Sequence, residues 1–422
     1  MAERILGPWV GAVTERAATL TAFIAKGAPA QLTLYGPEGA VGAHAPVERV
    51  RAEEKWEVVR YELDGLAADA EYAYEMSLAG GGEAVRGGFR TFPVPGAPAS
   101  FRFLCGGDAG GGIFSEYSNH RVFDYLRERE LFDAAGRRQA LFFLHLGDLH
   151  YDDTDSEGVE SHLKRYRRVW KNARQANFFR RTPVAYVWDD HDFCGNGSSV
   201  ESAGRTAAQR AYRVGFPHYP LAAGGEAGPI HQAFTVGRVR FLLTDTRSAR
   251  ATPGTAEGAA KTILGAGQKA WLKEELRSGR DRYALTIWVN AAPWLGAPCD
   301  VPGNADGWAN YRTERAELGD FILANGIENL LMLSADAHML AFDDGTHNQG
   351  ETGRGGFPIF HAAPLDRLRS RKGGDNYSHG AFPGSSGQYG VIEIFDDGRA
   401  PRARYALTGK KMGAPVIVHA GP

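Results

Sequence analysis

The sequence predicts an α/β fold, a layered β-sandwich flanked by helices, with a small all-β domain ahead of it. Three observations carry this. Short alternating strands separated by turn residues fill residues 1–95. A Pro-rich segment, Phe92-Pro93-Val94-Pro95-Gly96-Ala97-Pro98, follows as a linker. Beyond it, over 98–422, apolar strands run into Gly and Asp and alternate with amphipathic helical stretches.

The early strands are read at Leu20–Ile24, Gln31–Tyr35 and Trp56–Tyr61, with turns at Gly36-Pro37-Glu38-Gly39 and Gly80-Gly81-Gly82. Leu63-Asp64-Gly65-Leu66 and then Ala70–Tyr74 look like a fibronectin type III or Ig-like edge, where a Leu and a later Tyr close a sandwich corner. After the linker, four apolar runs stand out: Ala99–Cys105, Ala140–Leu146, Pro183–Trp188 and Leu330–Ser334. Gln268–Leu276 is an example of the amphipathic helical segments between them.

The bulk properties narrow the class. A chain of 422 residues, 43% hydrophobic and 23% charged, has the composition of a soluble globular protein with a sizeable core. A net charge of -2 argues against a nucleic-acid partner held by global charge. Cys105, Cys194 and Cys299 form no disulfide framework and read as free thiols. The start, MAERILGPWVGAV, has no long apolar core, twin arginine or membrane span. A cytoplasmic location is expected, with a periplasmic or secreted one open if a leader was removed. No membrane partner is expected, and the oligomeric state is not legible.

Each of the four apolar runs ends in a side chain able to bind metal: Asp108, Asp148, Asp190 and the Asp336/His338 pair. In layered α/β sheets, ligands gather outside the carboxyl ends of strands. Any one Asp alone reads equally well as a helix cap or turn residue. Four together, with His inside two of the motifs, weaken that plain reading. Carboxylate, imidazole and phenolate groups suit Fe, Mn, Zn or Ca. Two such ions about 3.5–4 Å apart clamp a phosphoryl group and generate a hydroxide near neutral pH. Asp148, inside Gly147-Asp148-Leu149-His150-Tyr151-Asp152-Asp153, is the choice for a carboxylate bridging both.

The stretches His145–Tyr151, Pro183–Asp192, Gly237–Arg247, Gly267–Leu276 and Ser334–His338 give segment 98–400 a specific likeness. It resembles the PhoD-like alkaline phosphatase/phosphodiesterase family, a branch of the calcineurin-like metallophosphatases. The resemblance implies a four-layer metallophosphatase domain behind the N-terminal sandwich. It also implies two metals, Fe(III) with Ca(II) or else Zn or Mn, held by Asp108, Asp148, Tyr151, Asp190, Asp336 and His338. Asp108 sits where many relatives have Cys. Tyr151 stands in for the His absent from Ala109-Gly110. Asp336 falls to the second metal and His338 to the first. His191, not a ligand, stabilises phosphoryl oxygens or protonates the leaving group, and Asp192 orients it. Asn196 is a weaker candidate, and Asn290 lies where the superfamily often has a His ligand. The implied reaction is hydrolysis of a small phosphate monoester or diester by a metal-bound hydroxide. The rivals are a metallohydrolase of another ester or anhydride, and a non-catalytic metal-containing binding protein.

Other signals carry two readings each. Arg247 either holds a phosphate bidentately or pairs with Asp245. The basic, aromatic stretch 164–181 reads first as a core-facing helix stripe and second as an anion funnel. His145 reads as an outer partner of a ligand carboxylate or as a core His. His150 flanks Asp148, and Asp153 reads as a solvated turn residue or an extra Ca site. The long loop 347–375 reads as a lid or specificity wall, with His361, Asn376 and His379 as substrate contacts. Gly110-Gly111-Gly112 reads as backbone donors near a phosphate.

Overall fold

The computed structural model describes residues 5–79, 84–111, 115–296, 307–348, 356–368, 376–382, 386–399, 402–409 and 416–420. The Gly80-Gly81-Gly82 turn, Gly112, Cys299 and the 349–355 and 369–375 parts of the long loop lie outside them. Among the described residues the strands form sheets of ten, seven and four. The ten-stranded sheet runs, edge to edge, through Val416–Ala420, Arg402–Gly409, Gln388–Phe395, Phe101–Gly106, Ala140–His145, Val184–Tyr186, Leu6–Gly11, Ala18–Ala25, Trp56–Leu63 and Glu48–Glu53. The seven-stranded sheet contains Val239–Leu243, Leu285–Val289, Leu330–Ser334 and Ile359–Ala362 as parallel neighbours.

The four layers follow from strand alternation, which sends successive side chains to opposite faces. Phe103, Phe142, Phe241 and Ile287 join one apolar core between the two large sheets. Their chain neighbours Leu104 and Phe143 instead pack outward with Tyr166, Trp170, Phe178 and Phe179. Those aromatics belong to or adjoin the helices Val159–Val169 and Ala173–Phe179, so the core-stripe reading of 164–181 describes them. Arg165 and Arg168 pair with Asp152, Arg167 with Glu53 and Arg174 with Asp124, so these four arginines are engaged within the protein. On the other side, Leu242 and Trp288 pack outward against the helices Gly265–Gly279 and Arg312–Ala324.

The N-terminal residues do form a sandwich. The sheet of Gly39–His44, Ala30–Gly36, Glu71–Leu78 and Val85–Arg90 closes over Leu20, Ala22 and Tyr61 through Leu32, Leu34, Tyr74 and Met76. At its corner the Tyr72 hydroxyl accepts the Ala67 N–H at 2.8 Å. The change of texture at 95–98 is not a break in hydrogen bonding, however. Leu6–Gly11 pairs in parallel with Val184–Tyr186, with Gly11 opposite Val184. Trp9 stacks on Trp170 at 4.6 Å. The sandwich therefore shares a sheet with the α/β part and braces the strand that precedes Asp190.

Candidate functional site

The strands leading to the site, Phe101–Gly106, Ala140–His145 and Val184–Tyr186, run parallel in one sheet. Leu330–Ser334 runs parallel to its neighbours in the other. Their carboxyl ends thus open at shared edges, and the loops beyond them converge. Asp108, Asp148, Asp336 and His338 adopt φ of 60°, 53°, 72° and 45°. This left-handed backbone costs a non-glycine residue roughly 1–2 kcal/mol and clusters at functional sites. Gly147, at φ 104°, permits a close approach, since a Cβ there would stand 2.7 Å from that of Asp189.

Two groups of ligand atoms result, each within 4.8 Å: Asp108, Asp148 and His338, then Asp148, Asp190 and His191. Asp148 is common to both. Tyr151 completes the first group, its hydroxyl 3.3 Å from Asp108 Oδ1 and 3.1 Å from His338 Nε2. His338 Nδ1 donates to the Leu368 carbonyl at 2.6 Å, which turns Nε2 inward. Asp336 is buried but stands outside both groups, close enough to Asp189 to add to the rise that burial imposes on that carboxyl. His191, expected to be non-ligating, has a ring nitrogen within reach of the second group.

The residue that orients His191 is Asp153, whose Oδ1 lies 2.7 Å from His191 Nδ1. The expected Asp192 is turned away. Its Oδ2 accepts Leu149 N–H at 2.9 Å and the Tyr186 hydroxyl at 2.5 Å, and its Oδ1 accepts Asp189 N–H at 2.7 Å. It staples the loop bearing Asp148 and Tyr151 to the loop bearing Asp190 and His191. Asp192→Ala leaves three buried donors unpaired, at about 1–3 kcal/mol each before relaxation. Denaturant unfolding should show a loss of several kcal/mol, and metal titration should show roughly 10–100-fold weaker binding.

Arg247 is fully buried. Its Nε donates to Asp189 Oδ1 at 2.5 Å and Nη2 lies 3.9 Å from Asp190 Oδ2. Both earlier readings give way to this. Asp245 accepts the backbone N–H of Arg247, Ser248 and Ile230 together with Trp188 Nε1. Asn290 is committed to Ala292 O and Trp308 Nε1. His361 is buried against Ser334 Oγ and Ala337 N–H, so it supports the Asp336–His338 loop and is removed from substrate. His379 packs on Phe342. His145 is enclosed in the core, where burial lowers its pKa to about 3. Gly111 pairs with the Ser115 backbone, and Gly110 makes room for a ring, a Cβ there falling 2.6 Å from Tyr151 Cδ2.

The charges require a counterweight. Asp108, Asp148, Asp189, Asp190, Asp192 and Asp336 are all buried. Burial pushes the Asp148 carboxyl well above the usual range, and Asp190, Asp108, Asp189 and Asp192 add to the push. Tyr151 is raised by burial, then by Asp148 and Asp108. His191 is lowered by burial, but Asp190 and Asp153 outweigh this and carry it to about 9. Ionised carboxylates at this density are stable only with positive charge among them. An oxygen-rich donor set with one or two imidazoles around a shared carboxylate fits two cations.

Comparisons with known proteins place the chain in a family. A family model described as PhoD-like phosphatase matches residues 128–360, which takes in Asp148 through His338 and stops short of Asp108 and Arg367. "Alkaline phosphatase D" of Bacillus subtilis (strain 168) is 26% identical over 327 residues, 66% of this chain and 53% of that protein. The matched region thus spans about half the length of that curated relative, 53%. A solved structure described as "Structure of PhoD" superposes at a TM-score of 0.72 and 18% identity, over 98% of this chain and 88% of the other, and shares its fold.

Proposed function

This chain belongs to the PhoD-like phosphatase family, and from that premise we propose that it is a metal-dependent hydrolase of small phosphate monoesters or diesters. The observation that carries the reading is Asp148, shared by two adjoining ligand groups. Two cations held there would supply an activated water and neutralise charge on the phosphoryl oxygens. Asp108, Asp148, Tyr151 and His338 would hold one; Asp148 and Asp190 would hold the other, with Asp336 at its margin. The family resemblance implies Fe(III) with Ca(II), and the mixed oxygen and imidazole donors also admit Zn or Mn. His191, held by Asp153, presents a proton towards the leaving-group oxygen. Arg247 fixes Asp189 and Asp190 from behind.

The test is turnover by the purified full chain of p-nitrophenyl phosphate and bis-p-nitrophenyl phosphate. Hydrolysis of at least one, lost on chelation and restored by added metal, is expected. A metal-loaded chain that hydrolyses neither would favour the binding-protein alternative.

A further inference from the structure

We propose that Arg367 is the side chain that grips the phosphoryl oxygens of the substrate. The proposal rests on the phosphoesterase reading above and names a residue which that reading leaves unassigned.

The position is built, and it is central. Arg367 Cζ stands 3.8 Å from the centroid of the Tyr151 ring. That ring is itself 4.1 Å from the His191 ring. Arg367 therefore lies beside the junction of the first ligand group with the second. The absent side chain of Gly110 leaves space for this, since a Cβ there would approach Arg367 Cδ to 3.2 Å as well as striking Tyr151.

The segment carrying Arg367 is fixed to the site by its backbone. Leu365 N–H donates to Gly107 O at 2.8 Å, and Asp366 N–H donates to Asp108 O at 2.9 Å. Leu368 O accepts His338 Nδ1 at 2.6 Å. Ser118 Oγ donates to Asp366 Oδ2 at 2.7 Å. A ligand-holding residue on such a support keeps its aim. Arg367 is half-buried, whereas Arg247 is wholly enclosed against Asp189. A guanidinium is planar and presents its N–H donors along its edge as a fork. A tetrahedral oxyanion over the two ligand groups matches that edge with two oxygens.

The experiment compares the wild type with Arg367→Ala and Arg367→Lys, all metal-loaded. For Arg367→Ala, KM on p-nitrophenyl phosphate and the inhibition constant of inorganic phosphate should both rise roughly 10- to 100-fold, the worth of a charge-assisted pair. kcat should fall by less, metal content should not change, and Arg367→Lys should recover part of the loss. Unchanged KM and phosphate affinity would overturn the assignment. So would loss of metal from Arg367→Ala, which would make Arg367 a support for Tyr151. Calorimetry with inorganic phosphate separates the two readings. Arg367-dependent phosphate binding by a wild type that turns over no ester would overturn the hydrolase reading and uphold the grip.

Discussion

Asp148→Asn is expected to abolish turnover and to cost metal affinity at both positions at once. Asp148 is shared by both ligand groups, so an amide in its place loses a charged ligand to each. Outer partners of metal ligands are already worth roughly 10–100-fold in affinity or activity, so a shared inner ligand should cost at least that for each metal. A second consequence has the opposite sign. Without metal, burial and four neighbouring aspartates make the Asp148 carboxylate unfavourable. Metal-free Asp148→Asn should therefore unfold at a temperature no lower than metal-free wild type. Metal should then stabilise the wild type far more than the variant. A variant that binds two metals as tightly as wild type would remove the bridging role.

Arg247→Ala should be strongly destabilising. It strips the partner from a buried carboxylate, Asp189, and breaking a buried pair in this way costs about 3–5 kcal/mol. Arg247→Lys should not repair it, because one ammonium cannot span Asp189 and Asp190 as the guanidinium does. Urea unfolding measures the loss. A variant of unchanged stability whose KM alone rises would return Arg247 to the phosphate-holding role. Such an outcome is not expected of a side chain with no exposed surface.

The fold was largely legible because its signals are local. Alternation within Phe101–Gly106 or Ala140–His145 sends neighbours to opposite cores, and the Gly-Asp endings mark where each strand stops. The sharing of one sheet between the N-terminal strands and the α/β part was not legible. Gly11 meeting Val184 is a contact across most of the first half of the chain, and no local pattern encodes it. The same division holds in the site. Asp108, Asp148, Asp190 and His338 follow strand ends and could be read from them, whereas Tyr151 entered through the family resemblance. Asp336 could be placed at a strand end, but not at its distance from the second group. In Asp189-Asp190-His191-Asp192 three carboxylates are chemically alike in sequence, and only the turn decides their roles. There Asp190 faces the metal group, Asp189 faces Arg247, and Asp192 folds back as a capping box. A D-x-x-D pattern ahead of a short helix was the available hint for the last of these. Asp153 and Arg367 had none, because their partners, His191 and Tyr151, come from other loops.

The central claim, that one carboxylate joins two metal positions, is tested most directly by anomalous diffraction from crystals of the metal-loaded protein, recorded at the absorption edges of the bound elements. Two peaks about 3.5–4 Å apart, both in contact with Asp148, one beside Asp108, Tyr151 and His338 and the other beside Asp190, are the expected result. A single peak, or two that do not share Asp148, would contradict it.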